Sequence, residues 1–335
     1  MKNSESPSLR YGYKERIDIK LLKKVAKAID KEFGEVLSGY CEKVLKDLVD
    51  GKLEINIVEN QREFYSKSGG LDFSLFLEGE KAILDIEGMV AINPFDLKPK
   101  IFIKKEDENN PKGLADKICH EMLHYLGFQL EEARRINEIE RIDLSTELLG
   151  SYQFEALIEY RFGPIKSLGY LLSLKEAPEV KVFLYLPSAD YENSVFWEGV
   201  IDYYNKKIID KLNLEGEYTA GYEYRYLIMV IIGALSNLYS EKTGETYEEV
   251  FAKFDKALKV AILSGNDTSF QQLVNSIELK ILIERMKKTV ERFAEEEKCR
   301  EFAEQIKMSL DKTKVSEDMT SYEWLKNLVF NYYSL

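Results

Sequence analysis

The sequence predicts an α+β protein, with a helical N-terminal segment, a small sheet and a mostly helical C-terminal half. Apolar residues recur every three or four positions between Asp18 and Asp50, which is typical of an amphipathic helix. Short β-branched and aromatic runs follow from Leu53 to Glu106, and helical periodicity dominates from Gly113 onward. Strands that are grouped before helices, instead of alternating with them, indicate the α+β class.

Four short segments predict the strands of the sheet, because Gly, Pro and Asp residues separate them. They are LEINIVE from Leu53, LDFSLFLEG from Leu71, KAILDIEGMVAIN from Lys81 and PKIFIKKE from Pro99. One further extended piece is predicted at VKVFLYLP, residues 180–187. Prolines at 164 and at 178–187 mark the expected domain boundary, which gives an N-terminal portion of residues 1–165 and a helical portion of residues 166–335.

Composition and charge exclude several classes of protein. The 335 residues are 45% apolar and 32% charged, which is far from the signature of disorder. The net charge is −12, from 47 basic and 59 acidic residues. Since a phosphate-tracking groove needs a basic surplus, we expect no nucleic-acid partner.

Cysteines and apolar segments predict the compartment. The three cysteines, Cys41, Cys119 and Cys299, are odd in number and far apart, which favours reduced thiols over a disulfide scaffold. The segment MKNSESPSLRYGYKERIDIK contains no apolar run of the kind found in signal peptides. The longest apolar run, Leu227 to Leu235, has about half the length of a membrane span and predicts a buried core helix. We therefore expect a soluble, cytoplasmic protein with no membrane partner.

The only two histidines of the chain, His120 and His124, lie four residues apart, with Glu121 in the segment HEMLH. Four residues make slightly more than one helical turn, so both imidazoles project from one face and can bind one tetrahedral metal ion. Glu121 lies about 100° around the helix from His120, where it can reach a metal-bound water. A helix over Gly113 to Gly127 would also have an apolar arc facing a core and a polar arc facing a cleft. Zinc is the expected ion, although the pattern also fits other divalent ions.

A catalytic zinc needs a third protein ligand, and the chain has no third histidine. Glu155 and Glu159 are the main candidates, because a carboxylate in the apolar segment LLGSYQFEALIEYRF is costly unless it is paired or bound to metal. They lie one helical turn apart, so one can bind the metal while the other orients a ligand histidine. Asp143 is the rival ligand. An ion pair with Arg161 or Arg225 is the structural alternative for the two glutamates.

The segments HEMLHYLGF and FEALIEY together resemble the gluzincin clan of zinc metallopeptidases, in which a second helix after H-E-x-x-H carries a ligand glutamate. In this resemblance Glu155 corresponds to the ligand and Glu159 to the acidic residue one turn later. EGMVAINP and PKIFIKKED are similar to the edge strand of the clan's cleft and its neighbour. The resemblance covers about a quarter of the chain. It implies a zincin-like fold with a small mixed sheet, in which residues 1–165 are catalytic and residues 166–335 close the cleft.

A tyrosine cluster before the most apolar helix offers a hydrogen-bond donor to the oxyanion of a tetrahedral intermediate. A buried phenol needs a partner for its hydroxyl, so one of Tyr218, Tyr222, Tyr224 and Tyr226 can face the cleft. Tyr218 begins Tyr-Thr-Ala-Gly, which is similar to a Tyr-x-x-Gly motif of the gluzincins. Tyr218 is therefore the expected donor and Tyr222 its rival. The alternative is that all four are structural aromatics.

Together these features predict a zinc metallopeptidase that acts on a peptide or protein substrate. His120, His124 and Glu155 are expected to hold the zinc. Glu121 is expected to act as general base on a metal-activated water and then to protonate the leaving amine. The alternative function is a zincin-fold binding or toxin-like module with little or no turnover, against which the intact Glu121 argues.

Overall fold

The computed structural model describes residues 18–37, 39–59, 88–92, 99–106, 109–138, 191–219, 223–264 and 267–333. These residues form an α+β structure, mostly helical with one small sheet, as the sequence predicts. They divide into two compact units: one contains the described residues up to Tyr125 together with Lys211–Thr219, and the other contains the remaining described residues. The predicted boundary near residue 165 and the predicted extended segments at 71–79 and 180–187 lie outside the described residues.

The first unit begins with two helices, α1 (Ile19–Phe33) and α2 (Tyr40–Val49). Asp18 caps α1, because its carboxylate accepts a hydrogen bond at 2.8 Å from the backbone N–H two residues later. The predicted helical stretch from Asp18 to Asp50 is thus interrupted. Gly39 has φ of +76°, a left-handed conformation that a continuous α-helix does not contain and that glycine adopts at little cost.

The sheet of the first unit has the strands β1 (Glu54–Val58), β2 (Gly88–Ile92) and β3 (Pro99–Lys104) in the order β1-β3-β2. Each strand lies within a segment predicted from the sequence. β1 pairs with β3 in parallel and β2 pairs with β3 antiparallel, so the sheet is mixed. The register places Gly88 opposite Ile103, and Ile103 opposite Ile57. Because side chains alternate along a strand, these three residues share one face of the sheet.

Helix α3 (Pro111–Glu138) follows the sheet and carries the histidines. It begins with an Asn-Pro pair, in which Pro111 needs no partner for a backbone N–H and Asn110 accepts a hydrogen bond from the Gly113 N–H at 3.0 Å. Two hydrogen bonds join α3 to α2. The Tyr40 hydroxyl donates to the Met122 carbonyl at 2.8 Å, and the Tyr125 hydroxyl donates to the Asp47 carboxylate at 3.1 Å.

The second unit is helical. Its helices after α3 are α4 (Tyr191–Ile209), α5 (Glu223–Thr243), α6 (Tyr247–Ser264), α7 (Thr268–Asn275), α8 (Leu279–Glu295), α9 (Arg300–Lys312) and α10 (Ser321–Tyr333). α5 lies at the centre, packing against α4, α6, α8, α9 and α10. The segment Leu227 to Leu235 belongs to α5, and its residues are buried apart from Met229 and Gly233, which confirms the predicted core helix. Among the described helices, none has the length and apolar content that a membrane crossing needs.

Candidate metal centre

The two histidines of α3 bring their ring nitrogens together. The Nε2 atoms of His120 and His124 lie 3.1 Å apart, and the ring centroids are 4.9 Å apart with the ring planes inclined by 62°. Two nitrogen ligands of a tetrahedral zinc ion, each about 2.05 Å from the metal, are separated by about 3.3 Å. Both rings are half-buried. This spacing fits a shared metal ion, and it also fits a hydrogen bond between the two rings. The ligand type and the remaining exposure are those that a metal site uses.

Glu121 is buried beside the first residue of β2. Only 4% of its surface is exposed. A Cβ atom added to Gly88 would lie 2.5 Å from the Glu121 Oε1 atom and 2.9 Å from its Cγ, far closer than atoms approach without a bond. The absence of a side chain at Gly88 therefore leaves the space that the Glu121 carboxylate occupies.

The polar arc of α3, which includes Asp116 and Lys117, is more deeply buried than the sequence predicts. Asp116 and Lys117 are buried, like Glu121, so that the two histidines keep more exposure than these neighbours. The Lys117 ammonium lies 2.7 Å from the Glu106 carboxylate and donates to the Lys104 carbonyl at 3.2 Å. A buried charge needs such partners, because it loses its hydration. The end of β3 and the residues just after it thus provide partners for the buried Lys117 ammonium.

The apolar arc of α3 is buried as predicted. Its fully covered residues include Ile118, Cys119, Met122 and Leu123. Burial raises the pKa of the Cys119 thiol well above its usual value, and the neighbouring Asp116 carboxylate raises it further. Cys119 is therefore a protonated core residue, in agreement with the small-hydrophobe role that is common for buried cysteines.

Glu198 is a further carboxylate that can be considered as a metal ligand. It lies on α4 in the segment SVFWEGVIDYY, where it is exposed. A carboxylate between apolar neighbours is the signal that selected Glu155, and the same signal would have selected Glu198. Glu155, Glu159 and Asp143 lie outside the described residues.

Tyr218 lies at the first turn of α3. The Lys112 ammonium is 3.9 Å from the centroid of its ring, and the next residue, Thr219, donates a hydrogen bond to the Gly113 carbonyl at 3.2 Å. Lys112 precedes His120 by eight residues, which is about 12 Å along a helix axis. The structure thus holds Tyr218 against the first turn of α3, and its role as oxyanion donor stays a prediction.

The other tyrosines of the cluster differ in their surroundings. Tyr224 stacks on Tyr333 with ring centroids 5.2 Å apart, and Tyr226 stacks on Phe302 at 4.2 Å. The Arg225 guanidinium donates to the Tyr226 hydroxyl at 2.9 Å. These contacts give Tyr224 and Tyr226 structural roles in the helical unit. Tyr222 lies outside the described residues.

Comparisons of this chain with protein-family models, with curated proteins and with solved structures find no match.

Proposed function

We propose that this chain is a zinc-dependent peptidase in which His120 and His124 hold the metal and Glu121 is the general base. The observation that carries the proposal is the conjunction on α3 of two imidazole nitrogens 3.1 Å apart with a buried carboxylate in the intervening segment. A structural helix gains little from this set, because the burial of Glu121 is costly. In the proposed hydrolysis, the two imidazoles hold the metal and the carboxylate transfers the proton.

The ligand set favours zinc. Two imidazoles and one carboxylate with a free coordination position form a donor set that catalytic zinc sites use. Glu198 is one candidate for the third ligand, because it is a carboxylate between apolar neighbours in the segment SVFWEGVIDYY. Glu155 and Asp143 are the alternatives that the sequence supplies. When bound, zinc lowers the pKa of a coordinated water and polarises the carbonyl of the substrate.

Glu121 moves the proton in this proposal. Its carboxylate accepts a proton from the attacking water, so that the water oxygen can form the bond to the carbonyl carbon. The same carboxyl group then gives the proton to the leaving nitrogen as the C–N bond breaks. Gly88 leaves the space that the carboxylate occupies, since the Cβ of any larger residue would lie 2.5 Å from Oε1. A proton carrier in a fixed position is effective because no reorganisation is needed when the reaction occurs.

A peptide is the proposed substrate, and a zincin-like arrangement of α3 and the sheet is the proposed architecture. β2 is an outer strand of the described sheet and runs antiparallel to β3. Its first residue lies against Glu121. The outer edge of a strand can align an extended peptide through main-chain hydrogen bonds, which would present successive peptide bonds to the same catalytic group. The resemblance to the gluzincin clan is in agreement with this arrangement.

The test is digestion of a peptide library by the purified full chain, with cleavage detected by mass spectrometry. We expect cleavage that a chelator abolishes and zinc restores. Glu121→Gln keeps the shape of the side chain but removes the proton acceptor, so we expect zinc content near wild type and hydrolysis lower by at least about 100-fold. Glu304→Gln, at an exposed position of α9, is the matched control and should be neutral. Cleavage by Glu121→Gln at the wild-type rate would refute the proposed base.

A further inference from the structure

The second unit contains a solvent-open groove of about 540 Å³, a volume within the range of ligand-binding pockets. Tyr239 of α5 contributes to it, and the other lining residues recur at intervals of three and four positions on two helices, so that each helix offers one face. They are Lys253, Lys256, Ala257 and Val260 on α6, and Ser269, Gln272 and Leu273 on α7.

The apolar part of the groove is fixed by the core below it. Ala257 is buried, while Val260 and Leu273 are half-buried and retain surface that a ligand can cover. The Tyr239 ring meets the buried Phe254 ring edge to face, with centroids 5.9 Å apart. Because these residues are held by packing, an apolar side chain that enters the groove meets a preformed surface.

The charged part of the groove is positive. Lys256 is exposed and has no carboxylate partner among the residues that the structure describes. Lys253 pairs with Glu245 at the neighbouring turn. No Asp or Glu belongs to the described residues that line the groove, although acidic residues exceed basic ones in the chain by 59 to 47. The groove therefore differs in sign from the protein as a whole.

We propose that this groove binds an acidic peptide segment that carries one apolar anchor residue. The anchor packs against Val260 and Leu273, and a flanking carboxylate meets Lys256. An open groove admits a continuous chain, which a closed cavity would not. Charge complementarity selects the acidic class, because a basic segment would bring its charges beside the exposed Lys256. The proposal does not depend on the metal centre.

The test is fluorescence anisotropy with the full chain and a labelled peptide that has two glutamates on each side of a leucine–phenylalanine pair. We expect saturable binding that weakens as salt concentration rises, since exposed charges are screened. Lys256→Glu should raise the Kd by roughly threefold to tenfold, from the loss of an exposed ion pair and the gain of a repulsion. Lys287→Glu, with the same charge change at an exposed position of α8, is the control and should bind as the wild type does.

Two altered peptides separate the contribution of the peptide's charge to binding from that of its apolar anchor. Replacing the glutamates by glutamines should remove the effect of Lys256→Glu, and replacing the leucine–phenylalanine pair by serines should abolish binding. Equal Kd values for Lys256→Glu and Lys287→Glu would overturn the proposal, as would an absence of peptide binding at millimolar concentration. Binding of decanoate in the groove without binding of the peptide would also contradict it, since the occupant would then be a lipid carboxylate.

Discussion

Helices α3 and α5 are both long, but they bury different kinds of side chain. Among its described side chains, α3 buries three charged residues, Asp116, Lys117 and Glu121, together with its apolar arc. The buried set of α5 is aliphatic except for Ser236. It consists of Leu227, Ile228, Val230, Ile231, Ile232, Ala234, Leu235, Ser236 and Leu238.

This difference separates a helix that the hydrophobic core alone explains from a helix that also buries charge. Burial of aliphatic side chains stabilises a fold by about 25 cal/mol for each Å² removed from water, so the core alone explains α5. Burial of a charge works in the opposite direction unless partners compensate it. Lys117 has such a partner in Glu106, at 2.7 Å. Burial of these charged groups does not by itself stabilise α3. Under the proposed function, Glu121 has a role in the reaction.

The largest contrast is expected between His124→Ala in α3 and Leu235→Ala in α5. Removal of a ligand imidazole should weaken zinc binding by more than the roughly 100-fold that loss of a ligand's neighbour costs, and hydrolysis should be lost with the metal. Leu235→Ala should lower the free energy of unfolding by about 2–5 kcal/mol while zinc binding by the folded fraction is unchanged. Chemical denaturation and zinc competition titration measure the two effects. A large stability loss in His124→Ala with zinc still bound would reverse the comparison.

Removal of the third ligand is expected to have the next largest effect on zinc binding. Glu198→Ala should lose stoichiometric zinc if its carboxylate binds the metal, and the matched change Glu155→Ala should then leave zinc in place. Asp143→Ala tests the remaining alternative. Zinc content after dialysis, measured by mass spectrometry, ranks the three variants. Zinc lost from Glu155→Ala or Asp143→Ala, but retained by Glu198→Ala, would assign the ligand to the segment that the sequence analysis selected.

Two glycine-to-alanine changes sharpen the comparison further. In Gly88→Ala the new Cβ would displace the Glu121 carboxylate, so we expect kcat to fall by about 10- to 100-fold with zinc content unchanged. In Gly233→Ala the new Cβ has no close neighbour nearer than 3.9 Å, and a helical alanine should add about 0.5–1 kcal/mol of stability. The effect of Gly88→Ala should vanish in a Glu121→Gln background, because both act on one carboxylate. If the losses of kcat in the two single variants were additive, Gly88→Ala would act through a group other than the Glu121 carboxylate.

Tyr218→Phe is expected to have the smallest effect. Its ring contacts Lys112 at the start of α3, and phenylalanine keeps a ring face for the ammonium. We therefore expect kcat and KM within about twofold of wild type in steady-state peptide hydrolysis. A loss of about 100-fold in kcat, with KM unchanged, would restore the tyrosine to the oxyanion role that the sequence resemblance implies.

Local patterns of the sequence predicted much of this structure. The start of α3, its apolar arc, the burial of the Leu227 segment and the segments of β1, β2 and β3 all follow from periodicity and turn residues. Features that depend on distant residues could not be predicted in this way. The parallel pairing of β1 with β3 and the burial of Lys117 require partners that no local pattern specifies.

The residues of the candidate site also divide into those that a local pattern predicts and those that depend on tertiary structure. His120, Glu121 and His124 are recognisable because one helical turn fixes their relative positions. Gly88 comes from another element, β2, so its contact with Glu121 depends on tertiary structure. Tyr218 illustrates the reverse case. A motif predicts it at the catalytic centre, and the contact that the structure describes for its ring is with Lys112.

The most direct test of the central claim is an anomalous difference map at the zinc absorption edge, from crystals of the full chain grown with one equivalent of zinc. We predict a single strong peak about 2.0–2.1 Å from the Nε2 atoms of both His120 and His124, with one carboxylate oxygen completing the protein ligands. Such a map names the ion and the third ligand together. A map without a peak at the histidine pair, or with the zinc bound only by other residues, would contradict the claim that α3 is a metal-binding catalytic helix.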